Sequence, residues 1–65
     1  MTREAMNKLP ESAQKRIEQI RQELKTDYLH RELYLTLSTG YLEGLRDAGL
    51  ITENERRILK CYITI

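Results

Sequence analysis

Apolar positions recur at helical spacing in three stretches of the chain. After Pro10, the residues Ile17, Ile20, Leu24 and Tyr28 follow at steps of three, four and four, which traces one narrow stripe on a helix. Gln, Glu, Lys and Arg fill the places between them, and all are good helix formers. The next stretch, Tyr28 to Ala48, is apolar over more of its circumference. Leu33, Leu37, Tyr41, Leu45 and Ala48 form one stripe; Tyr28, Leu35 and Leu42 form a second, in phase with Ile17, Ile20 and Leu24. A helix with two apolar stripes needs neighbours on two sides, so this stretch is expected to be the central element. The third stretch gathers Ile58, Leu59, Tyr62 and Ile63 on one face.

Local signals set the boundaries. Gly49 can end a helix in the left-handed conformation at no steric cost. Thr52 can cap the next helix with its hydroxyl while Glu55 reaches back to the Thr52 amide. Leu50 and Ile51, between them, are expected to enter the core. Pro10 suits the first turn of a helix, where its missing donor is not needed, and Glu11–Lys15 is a favourable spacing. Met6 and Leu9 place a short, weakly helical arm before it. At Lys25-Thr26-Asp27 two readings stand: Thr26 or Asp27 caps a new helix, or the helix runs on, since no Gly or Pro forces a break. Residues 33–38 also alternate at period two, as a strand would. A lone strand is unstable, and only the 62–65 tail offers a second.

The pattern therefore predicts one all-α domain over residues 1–65, a small three-helix bundle with helices at about 10–25, 28–48 and 53–63 and a short N-terminal arm. Its expected core is Tyr28, Leu33, Leu37, Tyr41, Leu45, Ile51, Ile58, Leu59 and Tyr62, with the apolar Ile65 end packed down, on the chain itself or against a partner.

Size changes the picture. A 65-residue domain hides only ~60% of the surface its unfolded chain exposes, and one core of that size supplies no more than ~3–5 kcal/mol. Cys61 is the only cysteine, so an intrachain disulfide is impossible. One His and one Cys cannot build a four-ligand zinc site. Association with another chain is the remaining route to extra burial. With 40% hydrophobic and 32% charged residues, the chain is too apolar for disorder and too charged for a membrane span. The N-terminus lacks the apolar run of a secretion signal, and a lone thiol fits a reducing cytoplasm. A net charge of +1 predicts no strong field towards nucleic acid or anionic lipid.

Candidate chemistry is sparse. His30 titrates near neutrality when unperturbed, with Asp27 and Tyr34 at contact spacing, but no nucleophile stands near it in sequence; an edge histidine is the better account. Cys61, near a helix C-terminus, reads as a small packed residue. Glu43 and Asp47 share a face, a weak metal signal and an ordinary solvated pair otherwise. No catalytic, metal or cofactor site is expected. Gly40 and Gly44 have the small-xxx-small spacing of closely approaching helices, and two mid-helix glycines cost ~1 kcal/mol each relative to alanine. The expected contact surface is Tyr28, Leu35, Gly40, Leu42 and Gly44, meeting another protein chain or a second copy of this one. The alternative is a helix-turn-helix-like DNA-binding regulator in which Arg56, Arg57 and Lys60 touch phosphates. Glu53 and Glu55 at the start of that helix oppose it.

The run Leu42-x-x-Leu45-x-x-x-Gly49-x-Ile51-Thr52-x-x-Glu55 resembles the helical hairpin of SHOCT-type domains. The resemblance implies a short interaction or oligomerisation module, and covers about a third of the chain. It departs at Arg56, where that family favours an aromatic. In length and style the chain is also similar to small proteins carried by mobile elements of Gram-positive bacteria, which implies a context and no activity.

Overall fold

The computed structural model describes residues 2–65 and contains four helices: α1 (Thr2–Asn7), α2 (Glu11–Thr26), α3 (Arg31–Asp47) and α4 (Glu53–Thr64). The fold is an all-α bundle measuring 32 × 19 × 19 Å. Three long helices fall where the apolar pattern places them, and residues 33–38 and 62–64 are helical. The N-terminal arm is a true helix, and it packs on α4.

The break between α2 and α3 has a local cause. Asp27 leaves the helical region at φ −118°, ψ 86°, and a single 3-10 turn, Tyr28–His30, leads into α3. The Asp27 carboxylate accepts from His30 Nδ1 at 2.9 Å and from the Tyr34 hydroxyl at 3.4 Å. Of the two readings at this junction, the separate helices hold.

The α3–α4 corner follows its sequence signals closely. Gly49 has φ +80°. Its amide donates to Arg46 O at 2.9 Å and the Leu50 amide to Leu45 O at 3.0 Å, the paired bonds of a Schellman ending. Thr52 Oγ1 accepts from the Glu55 amide at 3.1 Å, and Glu55 Oε1 accepts from the Thr52 amide at 2.8 Å. Ile51 enters the core as expected, but Leu50 stays on the surface.

The core is built from Ala5, Leu9, Ala13, Ile17, Ile20, Leu24, Leu42, Leu45, Ile51, Leu59 and Ile63. Of the nine expected core residues only Leu45, Ile51 and Leu59 belong to it; Ile17, Ile20, Leu24, Leu42 and Ile63, with the smaller Ala5 and Ala13 and with Leu9, supply the rest. Tyr28, Leu33 and Leu37 are 77%, 61% and 45% exposed, so the outer face of α3 is not covered by the chain. Tyr41, Ile58 and Tyr62 are half-buried at the core's edge. α2 and α4 both press on the side of α3 that carries Leu42 and Leu45, one residue from each expected stripe, so the buried side cuts across the two stripes. Ile65 is 84% exposed, so of the two expected placements, on the chain itself or against a partner, the first does not hold.

Candidate interaction surface

Ridge geometry explains which face of α3 is left over. Leu35, Ser38 and Thr39 meet α4: Lys60 Nζ donates to Leu35 O at 3.1 Å, to Ser38 Oγ at 2.7 Å and to Thr39 Oγ1 at 2.6 Å. Tyr34 faces α2, where it shares a cleft with Ile20 and Glu23, and Leu37 sits at the cleft's rim. Between these two flanks lie Leu33, Leu37, Gly40 and Gly44. At about 100° per residue they fall within a sector roughly 60° wide. Tyr28 and Leu29 extend this face through the preceding turn, and Leu29 is almost fully exposed. A Cβ built on Gly40 or Gly44 would meet nothing within 4 Å.

The five residues expected at a contact surface thus divide. Tyr28, Gly40 and Gly44 lie on the open face. Leu42 is wholly inside the chain's own core, and Leu35 is half-buried against it. Leu29, Leu33 and Leu37 take their place. Helical spacing made Leu33 and Leu37 visible in the sequence, where they pointed to core; Leu29 belonged to neither stripe. Close approach within the chain does not account for Gly40 and Gly44, because no other segment reaches them.

The basic residues of α4 bond to other residues of the chain, Arg57 while remaining exposed. Arg56 binds Glu53 through two nitrogens, at 2.8 and 2.7 Å, and Arg57 Nε reaches the same carboxylate at 3.2 Å. Arg46 Nη1 completes the set at 2.7 Å. Arg56, then Arg46 and Arg57, hold the Glu53 carboxyl far below the usual carboxylate range. Burial, with Arg56 nearby, lowers the Lys60 ammonium, and Glu43 opposes that shift.

The other candidates find ordinary places. His30 is exposed, paired with Asp27 alone. Cys61 is exposed, not packed; it borders a shallow depression with Ile58, Tyr62 and Ile65. Asp47 sits on the surface beside Arg46 at 3.3 Å. Among the described residues no group of three His, Cys, Asp or Glu is placed to hold a metal ion. A depression of about 710 Å³ is an open groove lined by Met6, Glu11, Gln14, Lys15 and Glu18, among others. Among the described residues no helix is long and apolar enough to cross a membrane. No protein-family model, curated protein or solved structure matches this chain.

Proposed function

We propose that this chain is a non-enzymatic helical interaction module that works by self-association. The observation that carries the reading is the exposure of Leu33 and Leu37 on the outer side of α3, together with Tyr28 and Leu29 in the turn that leads into it. Scattered exposed leucines need no explanation, but a contiguous apolar face does. A chain of this size also gains most from burial against a second subunit. The likeness of residues 42–55 to SHOCT-type hairpins points the same way, since those modules mediate interaction or oligomerisation. The DNA-binding alternative is less well supported: the Glu53 carboxylate stands between Arg56 and Arg57 at the start of α4, and Lys60 is turned into α3. The exposed Cys61 thiol suits a reducing compartment such as the cytoplasm.

Sedimentation equilibrium across the micromolar range tests the reading. Self-association that is lost when Leu33 and Leu37 are both changed to Glu supports it. A wild-type chain that remains monomeric throughout overturns it.

A further inference from the structure

The open face of α3 has a graded shape. Reading along it, Leu29, Leu33 and Leu37 come first, then Gly40, Gly44 and Ala48. All are exposed. The large side chains occupy the N-terminal half and the small ones the C-terminal half. Two such faces fit each other in one orientation. Run parallel, they would set leucine against leucine at one end and glycine against glycine at the other, so the helices would splay and leave a gap. Run antiparallel, every leucine of one copy meets a small residue of the other: Leu37 over Gly40, Leu33 over Gly44 and Leu29 over Ala48. The separation is then constant along the contact, and large and small positions interdigitate.

We propose that two copies of this chain pair antiparallel through the outer faces of α3, about a two-fold axis between Leu37 and Gly40, with the leucines of each copy seated over the glycines of the other. This rests on the self-association reading above and specifies its geometry. A second copy is the fitting occupant because the face is its own complement, the condition for an isologous two-fold interface.

Charge and extent agree with that choice. Asp47, its side chain 72% exposed, stands beside the small end of the stripe. Antiparallel pairing carries it to the N-terminal turn of the other α3, where His30, Arg31 and the positive helix end lie; parallel pairing sets it against its own copy. The 17 residues of α3 span about 25 Å, most of the molecule's 32 Å longest dimension. A stable interface takes ~800 Å² from each partner, against a total surface of 4440 Å² for this chain. The pairing also gives the two mid-helix glycines a role that nothing within the chain supplies.

Two variants test this in the full chain. Gly40→Gln with Gly44→Gln fills the notches with good helix formers, and the space around both glycines within one chain is empty. Helical circular dichroism should be retained, the melting temperature equal or higher, and self-association weakened at least tenfold. In a Cys61→Ser background, Leu33→Cys and Gly44→Cys chains should form a disulfide-linked dimer when mixed and mildly oxidised, and little when oxidised separately. A wild-type monomer would overturn both the association and the pairing. A wild-type dimer that survives the glutamine changes, with no cross-link preference for the mixture, overturns the pairing and leaves the association standing. Cross-links formed by each cysteine chain alone identify the parallel arrangement instead.

Discussion

The Lys60 ammonium and the Ser38 hydroxyl lie 2.7 Å apart and fasten α4 to the middle of α3. Ser38 is the one fully buried polar side chain among the described residues. Its hydroxyl donates to Leu35 O at 2.8 Å and accepts from Lys60. The Lys60 stem lies over α3 while its head satisfies three oxygens. Lys60→Met keeps much of the apolar stem and removes the donor. It is expected to lower stability by about 1–3 kcal/mol, the range for a partner removed from a buried polar group. Urea denaturation measures it; unchanged stability would show that the bonds to Ser38 and Thr39 contribute little.

At the α3–α4 corner, Thr52→Ala removes a cap whose loss typically costs ~0.5–2 kcal/mol. Gly49→Val should cost more, because a β-branched residue resists the φ of +80° found there. Thermal melts of the two variants should fall in that order. An unchanged melting temperature for Gly49→Val would mean that the corner relaxes freely.

Acid should destabilise the fold through three carboxylates. Hydrogen bonds from Arg56, from His30 and from Lys8 lower the carboxyls of Glu53, Asp27 and Glu55 respectively. Groups with folded values below their unfolded ones contribute stability that is present above the unfolded value and lost as pH falls through the folded one. The melting temperature should therefore hold near neutrality and decline from about pH 4.5 downwards. Glu53→Gln should flatten the decline; an equally steep profile in that variant would remove Glu53 from the account.

The alkaline side has the opposite sign. Glu23 first, then burial and Asp27, raise the Tyr34 phenol to about 12. A raised folded value means stability that is complete below the unfolded value of 10.0 and is lost as pH climbs from there towards about 12. Tyr34→Phe should lose less stability than wild type across that interval, read by chemical denaturation at several pH values. Identical losses would locate the alkaline sensitivity elsewhere.

Some of this architecture is legible in the sequence and some is not, for physical reasons. Gly49, Thr52 and Glu55 act through bonds spanning a few residues, so their types alone predict the corner. The stripe of Ile17, Ile20 and Leu24 is unambiguous because the rest of that helix is polar. α3 carries two apolar stripes, and its own sequence does not say which one the other helices cover. The packing cuts across both: Leu42 and Leu45, one from each stripe, are buried, while Leu33 and Leu37 are not. Leu33 and Leu37 therefore look like core and stand in water. Ala5 and Ala13 escape a reading by apolar strength because they are small, although both are buried. The alternation of Leu33, Leu35 and Leu37 mimics a strand, but one of the three leans on the core while two face outwards.

The division between the two sides of α3 gives a direct contrast in stability. Leu42→Ala empties a fully buried site and should cost about 2–5 kcal/mol. Leu33→Ala, on the open face, should cost little in a dilute chain and weaken self-association instead. Denaturation at low concentration beside sedimentation at high concentration separates the two effects. A large loss of monomer stability from Leu33→Ala would place that residue in the chain's own core.

The central claim is that the outer face of α3 is left open by the monomer and closed by a second copy. Sedimentation equilibrium of the wild-type chain, beside the Leu33→Glu, Leu37→Glu double variant, tests it most directly. The wild-type mass should rise towards twice that of the chain through the micromolar range, and the variant should keep its helical spectrum yet stay at the mass of one chain. A wild-type protein that remains monomeric throughout that range, or a variant that associates as strongly as wild type, would overturn self-association through this face.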